Sequence, residues 1–593
     1  MRTSSLQDLY LQRPVTLTIL ICMLSVLPWI AMNDFATKGE PREAAVAISM
    51  LETGNFILPT TYADEFAYKP PMAHWLMALC SLPQGYVSEF TSRLPSAIAF
   101  TCMIGFLLGF FGKRREKSQE VFLTIAILIT CIEIHRGAMT TRVDMLLTTF
   151  MVIGLIQLFR WEEKQQLKGL PVAIPILLGC AMLTKGPVGI VLPLFIFFVY
   201  LLMLNKYRFL TVIKAMVYIG ISSLFLPMLW YVAAWRQGGD DFLNVVLAEN
   251  FGRFFHLNTP NINYELGHEN GAWYNLVTLL AGFVPWTILA FFALFGMKIR
   301  FPRKSLLQIC LDIWKKIRSM DRIRLFSLVA LVCVVFFYSI PSSKRSVYLM
   351  PAYPFIALFL AQFMLYLAEY RTKVTRVFAH FMAALTAVVT LVLLLTTCRM
   401  IDPMEIVSSF TQNASTLATT EAITQLLIHP NIITILILLA QIASLGIVYY
   451  QLSRKINIKI LYATFGLMFC INLLVDGVIM KGEKASGSAK PFARQIMHDY
   501  PLQKDNIYVM NNLLEYRNLY GLNFYMGNLF HNFENDKPQT GFFLSAEPDM
   551  EKVQEKYAGQ YRFQLLTTSP NVIKDVRRKV VLYSFERIAG STP

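Results

Sequence analysis

The chain has 593 residues, 55% of them hydrophobic and only 16% charged, with 44 phenylalanines. That balance excludes a string of water-soluble domains: apolar runs of about 20 residues recur, each able to cross a hydrocarbon core of roughly 30 Å. Nor does the net charge of +16 indicate a nucleic-acid partner, because outside the tail most Lys and Arg fall in short loops at alternate span ends, the positive-inside pattern. The nine cysteines lie mostly within apolar runs without metal-ligand spacing and read as small buried hydrophobes.

Arg2 and Arg13 mark the N-terminal end as cytoplasmic, and a span over about 14–32 leads outward. No small-x-small cleavage site follows it, so it reads as a span and not a removable leader. An external loop over 33–92 then carries Gly39-Glu40-Pro41-Arg42-Glu43. Pro41 suits the first turn of a helix, and Glu40 would sit where the helix dipole favours negative charge. Ala45, Ile48 and Leu51 form an apolar stripe at helical spacing, and Gly54 ends the helix. A second polar knot, Tyr68-Lys69-Pro70-Pro71, precedes an apolar run with His74 and Trp75. An ionisable cluster pinned between two membrane segments is a functional-site hypothesis.

Arg93 opens the next span, and Lys113, Arg114, Arg115 and Lys117 close it on the basic side. Two spans then form a hairpin whose outer turn runs from Ile134 past Arg136 and Arg142 to Asp144. The following pair turns outside at Thr184-Lys185-Gly186-Pro187. A span over about 212–235 leads to an external loop, 236–272, with Glu249, Arg253, His256 and His268. The segment 298–324 holds nine Lys and Arg with an amphipathic stripe and is expected on the inner membrane surface. A span over about 325–341 reaches Lys344 and Arg345, and the chain re-enters at Tyr348–Pro354. Spans near 377–398, 431–452 and 460–480 bring the number to about thirteen, with the termini on opposite sides. From 485 the hydropathy falls. Strands are predicted at 507–510, 541–544, 561–566 and 580–585, with a helix at 547–558. The expected fold class is a polytopic α-helical membrane protein, residues 1–484, with a small soluble C-terminal α/β domain, 485–593, on the periplasmic side.

The order Glu40-x-Arg42, Gly54-Asn55-Phe56-x-x-Pro59, Tyr68-Lys69-Pro70-Pro71-x-x-x-Trp75 resembles the first external loop of the aminoarabinose transferase and protein O-mannosyltransferase group, membrane glycosyltransferases of the GT-C type. Lys344, Tyr348 and Pro351 resemble the group's K-x-x-x-Y-x-x-P, and Lys185-Gly186-Pro187 and Arg142-x-Asp144 also fit. The resemblance covers roughly residues 14–360. It implies an inverting transfer from a polyprenyl-phosphate sugar that enters from the bilayer, at the outer face of a bacterial inner membrane. The acceptor it implies is a lipid such as lipid A or an exported-protein hydroxyl. Two departures stand out. The group begins this loop with Asp-Glu where this chain has Gly39-Glu40, and it shows Glu-Lys-Pro where this chain has Tyr68-Lys69-Pro70.

Sugar transfer from a lipid phosphate needs cations and phenols for the leaving group and, for a hydroxyl acceptor, a carboxylate to take its proton. The candidate carboxylates are Glu40 and Asp144; the donor-phosphate candidates are Arg42, Tyr68, Lys69, Lys185, Arg253, Lys344, Arg345 and Tyr348. Glu40, Lys69, Asp144 and Lys344 are expected to converge at the outer boundary. Each has a plainer reading: Glu40 as a helix cap, Asp144 as an ion pair with Arg142 or Arg136, Lys344 as a snorkelling lysine. No cofactor is required. A divalent metal stays open, with His256 and His268 as candidates that two loop histidines more often fail to realise. A transporter or flippase of lipid-linked sugars is the rival from another class, but it would carry its charges near the bilayer midplane rather than at span ends on one side. A structural or assembly protein would not require the convergence.

Overall fold

The computed structural model describes residues 13–62, 65–67, 69–113, 118–249, 270–296, 305–341, 343–511 and 515–588. Among these, nine helices are long and apolar enough to cross a membrane. Two bent pairs, Ser118–Thr130 with Ile132–Ala138 at 63° and Tyr274–Gly282 with Trp286–Gly296 at 100°, bring the number to 11 if each is one span, below the expected set of about thirteen; Ala173–Lys185 and Val188–Leu204, where a further pair is expected, are apolar but shorter.

Burial sorts these helices by place. Val143–Gln165 is the central one, 78% buried over its apolar window, whereas Phe209–Leu247 is 22% buried. The latter turns Phe225 and Ile221 outward, as a lipid-facing helix should. The cysteines divide the same way: Cys22, Cys131 and Cys333 are buried, but Cys102, Cys310 and Cys398 are exposed, a correction to reading them all as core residues. Phe209–Leu247 also outruns its expected end near 235. Gly239, at φ +58°, breaks the helix and lets it continue, and Phe242 beyond the break packs with Leu58, Leu183 and Trp230.

The loop over 33–92, expected to be external, is built locally as its sequence suggests. The helix Gly39–Thr53 ends at Gly54 in the left-handed conformation, φ +70°. Asn55 Oδ1 then accepts from the backbone N–H of Ile57 and Leu58, at 3.1 Å each, and turns the chain. A two-residue hairpin, β1 (Thr60–Thr61) with β2 (Glu65–Phe66), leads toward the helix Met72–Ser81.

Past the last span, β3 (Ile507–Val509), β4 (His531–Asn532), β5 (Thr540–Ala546), β6 (Tyr561–Thr568) and β7 (Val580–Arg587) form one sheet in the order β4-β3-β5-β7-β6. β3 runs parallel to β4 and β5, while β7 is antiparallel to β5 and β6. Glu547–Lys556 is helical as predicted. β4 has no sequence signal, because two residues are too few for alternation to register.

This sheet unit grips the external loop. Tyr62 inserts its ring against Tyr520 (4.7 Å between centroids) and Phe530 (5.8 Å), and its hydroxyl accepts from the Leu519 N–H at 2.7 Å. The Tyr525 hydroxyl accepts from Phe35 N–H at 2.8 Å, and Lys490 bridges Asp34 (3.1 Å) and Glu89 (2.6 Å). Replacing a buried aromatic ring by alanine costs about 3–5 kcal/mol, so Tyr62→Ala should loosen the sheet unit from the loop. Limited proteolysis in detergent should then cut the 485–489 connection about tenfold faster or more, with the helical circular-dichroism signal retained. Equal cutting rates would mean that Tyr62 does not carry the docking.

Candidate active site at one end of the spans

Glu40 lies in the first turn of Gly39–Thr53, but it does not cap that helix: the preceding residue is Lys38, and no side chain caps there. Its carboxylate is filled instead. Arg93 Nε donates to Oε1 at 2.9 Å, an Arg93 terminal nitrogen to Oε2 at 3.4 Å, and the Thr141 N–H to Oε1 at 3.2 Å. Arg93 also donates to the carbonyls of Ile30 (3.1 Å), Asn33 and Asp34 (3.2 Å), and lies 4.7 Å over the Phe35 ring. Both side chains are buried. Burial pushes the Glu40 carboxyl up, but the charges of Arg93 and Lys484 and the bonds from Arg93 and Thr141 outweigh it and leave the group at about 2.

Three residues on, Glu43 faces the other polar knot. Its Oε1 accepts from Lys69 and, at 3.4 Å, from Arg42; its Oε2 meets His74 Nε2 at 2.9 Å. Glu43 and His74 are buried, while Lys69 and Arg42 keep 30% and 33% of their side chains exposed. Burial raises the Glu43 carboxyl, yet Lys69, His74 and Arg42 hold it well below the usual carboxylate range. Burial and the Arg42 charge depress the Lys69 ammonium to about 8, against the opposing pull of Glu43 and Glu249. The sequence places Glu43 and His74 among the ionisable residues of the loop without giving them a site role. Their contact joins residues 31 apart, which no local pattern reveals.

Asp144, in the first turn of Val143–Gln165, accepts from Lys185 through Oδ1. Its Oδ2 takes no hydrogen bond from a described residue. Lys185 ends Ala173–Lys185, where Gly186 at φ +85° allows the turn. Its Nζ lies 4.0 Å from the centre of the Tyr348 ring, which packs on Tyr338 at 5.3 Å. Asp144 is therefore paired with Lys185 and not with Arg142 or Arg136. Arg136 donates to both oxygens of Glu133 at 2.8 Å and to Ser346 Oγ at 3.2 Å, and the Arg142 guanidinium lies against Gly39. Lys69 and Arg142 are still close enough to act on Asp144 electrostatically.

Lys344 is buried and exchanges two hydrogen bonds with Asn270, donating to its carbonyl at 3.1 Å and accepting on its own carbonyl at 3.0 Å. It is not a snorkelling side chain. Arg345, half-buried, precedes the 3₁₀ turn Ser346–Ala352 that presents Tyr348. Tyr68, Arg253, His256 and His268 lie outside the described residues. Among the described residues no group of three or more His, Cys, Asp and Glu is placed to hold a metal ion.

Two groups therefore adjoin, Arg42–Glu43–Lys69–His74 and Asp144–Lys185–Tyr348, with the Glu40–Arg93 pair beside them and Lys344 engaged with Asn270. Paired but partly exposed lysines next to a tyrosine can take up an oxyanion, and a carboxylate with one uncommitted oxygen can take a proton.

Residues 68–235 match the family described as Dolichyl-phosphate-mannose-protein mannosyltransferase. An undecaprenyl phosphate-alpha-4-amino-4-deoxy-L-arabinose arabinosyl transferase of Shewanella sediminis (strain HAW-EB3) is 24% identical over 60% of this chain and 61% of its own length. An uncharacterized protein of Aquifex aeolicus (strain VF5) is 27% identical over 54% and 57%. The chain thus spans about three fifths of the length of these curated relatives. Among solved structures, ArnT from Cupriavidus metallidurans bound to undecaprenyl phosphate superposes with a TM-score of 0.63 at 16% identity, over 98% of this chain and 99% of that one. Its apo form gives 0.64 at 17% identity, over 96% and 97%. By fold the chain is a polytopic helical membrane protein like the ArnT structures, and by the sequence of its first half it is similar to the protein mannosyltransferase family and to aminoarabinose transferases.

Proposed function

We propose that the chain transfers a monosaccharide from a polyprenyl-phosphate donor to a lipid acceptor of the lipid A kind, at the periplasmic face of a bacterial inner membrane. The supporting observation is the convergence of Lys69, Arg42, Lys185 and Tyr348 around two buried carboxylates at one end of the spans. The likeness to an ArnT that binds undecaprenyl phosphate supports the donor class. In this reading residues 1–484 form the transmembrane part with the N-terminus cytoplasmic, and 485–593 form a periplasmic domain. The cationic stretches at 112–120, 298–324 and 453–459 support that orientation.

The roles follow from charge and exposure. Lys69 and Lys185, with the Tyr348 hydroxyl, stabilise the polyprenyl phosphate as its bond to the anomeric carbon breaks and it leaves with the electron pair. Lys344 and Arg345 are assigned to the same donor role. An acceptor oxygen forms the new bond to the anomeric carbon from the opposite face, which inverts the configuration. If that oxygen belongs to a phosphate, it is already anionic and no base is needed. If it belongs to a hydroxyl, Asp144 Oδ2 takes the proton. Glu40, with both oxygens engaged by donors, serves as a strut for the loop. The match to a protein mannosyltransferase family favours, as second reading, a protein hydroxyl acceptor.

Mass spectrometry of lipid A and of periplasmic proteins, with and without the gene, should show lipid A lighter by one sugar in its absence. Loss on proteins alone would select the second reading, and loss on neither would remove both. Asp144→Asn should lower turnover about 10²–10⁴-fold with a hydroxyl acceptor and leave it near wild type with a phosphate acceptor; assays of the purified variant with each acceptor class decide between them.

The Lys69 ammonium, held at about 8, loses its charge as pH rises through that value. Undecaprenyl phosphate affinity should therefore weaken between about pH 7 and 9, by roughly tenfold or more, instead of near the ordinary lysine value. Glu43 favours the charged lysine, so Glu43→Gln should move the transition to lower pH. A binding curve flat through pH 9 in the wild type would remove Lys69 from the phosphate site.

A further inference from the structure

The residue that stands where the group has its aspartate is not explained by the backbone. Gly39 opens a right-handed helix and does not occupy positive φ. What it provides is space. A Cβ at Gly39 would lie 3.1 Å from a terminal nitrogen of Arg142, 3.6 Å from its Cζ and 3.7 Å from its Nε. The guanidinium thus lies against the bare Cα, and an aspartate there would bring its carboxylate onto Arg142.

The backbone around Arg142 is fixed. Ser96 Oγ donates to the carbonyls of Thr140 (2.8 Å) and Arg142 (3.3 Å), the hydroxyls of Ser92 and Thr141 meet at 3.0 Å, and the Thr141 N–H is taken by Glu40. The side chain is not. It is half-buried, and among the described residues its guanidinium has no hydrogen bond or ion pair. Each neighbouring carboxylate is committed elsewhere: Glu40 to Arg93, Glu43 to Lys69, Asp144 to Lys185. Arg142 immediately precedes the helix Val143–Gln165, whose N-terminus has no side-chain cap and adds positive potential at the same point. A planar fork of N–H donors, held by its backbone, near the Asp144 charge but in direct contact with no carboxylate of the described residues, is built for a bidentate oxyanion.

We propose that Arg142, left free by Gly39, binds a second oxyanion beside the donor phosphate, a phosphate monoester or carboxylate carried by the acceptor or by the transferred sugar. The inference rests on the transferase reading for the identity of the first anion. It makes Gly39 a specificity device: with the aspartate restored, the site loses one available cation and a substrate with the extra anionic group is disfavoured.

The test measures binding to the purified full chain in detergent, by ligand-observed NMR and calorimetry, with undecaprenyl phosphate already saturating. Glucose 1-phosphate stands in for a phosphorylated acceptor and glucuronate for an acidic sugar. Arg142→Gln and Gly39→Asp should each weaken binding of one probe by about ten- to a hundredfold, the loss of a charge-assisted contact. Gly39→Ala, which adds bulk without charge, should retain it, and thermal melting should stay close to wild type in all three. Sensitivity of glucose 1-phosphate places the anion on the acceptor, and sensitivity of glucuronate places it on the sugar. Absence of binding by both probes to the wild type, or equal affinity in Arg142→Gln, overturns the assignment. Failure of the transferase reading would appear separately, as failure of undecaprenyl phosphate itself to bind and to respond to Lys69→Ala.

Discussion

The buried pair of Arg93 and Glu40 is the constraint on which the candidate site depends. A charge removed from water is tolerated only when its partner and its remaining hydrogen-bonding capacity are satisfied. Arg93 meets that condition by gathering Glu40 and the carbonyls of Ile30, Asn33 and Asp34 into one knot. The end of the first span, the connecting turn and the start of the external helix are thereby set against the second span. Removing one member of such a pair leaves the other buried and unpaired, at a cost of about 3–5 kcal/mol. Once Glu40 is fixed, the helix that carries it aims Glu43 at Lys69 and His74, and Thr141, bonded to the same carboxylate, sets the turn that leads to Asp144.

A second buried pair extends this order to the far end of the membrane part. His135 Nε2 lies 2.7 Å from Asp476 Oδ2, and the Asp476 carbonyl lies 3.5 Å from the Asn33 amide nitrogen. Asp476 sits in the π-turn Val475–Ile479, where the wider turn displaces a helical residue from its regular position. The site is therefore framed by the first span, the bent helix Ile132–Ala138 and the last span together.

Much of this is legible in the sequence. Hydropathy and length found the spans, because the bilayer imposes a length that few other environments require. The Pro41 and Gly54 signals bounded the helix Gly39–Thr53, and runs of aromatic and β-branched residues found four of the five sheet strands. What escaped were pairings. Arg93 looked like a span boundary, Glu43 like one more charge on a helix, and Asp144 like a partner for the arginines nearest in sequence. Each takes its true partner from another helix, and such choices follow from packing geometry that residue order does not encode. The continuation of Phe209–Leu247 past the expected end near 235 escaped for a related reason: Gly239 serves as a joint, and Phe242 beyond it packs with Leu58, Leu183 and Trp230.

The grip of the C-terminal sheet unit on Tyr62 has a consequence for the cost of binding at the candidate site. A loop of this length, free in water, would have to surrender backbone and side-chain freedom at every binding event, and that loss would be subtracted from affinity. Here the surrender happens once, when the chain folds. The ring of Tyr62 is locked among Tyr520 and Phe530, and Lys490 ties the loop's root through Asp34. The distal unit, although it contributes no identified chemical group, acts as a splint that keeps Glu43 and Lys69 preorganised, so that a ligand of the proposed kind would meet a surface already set in place.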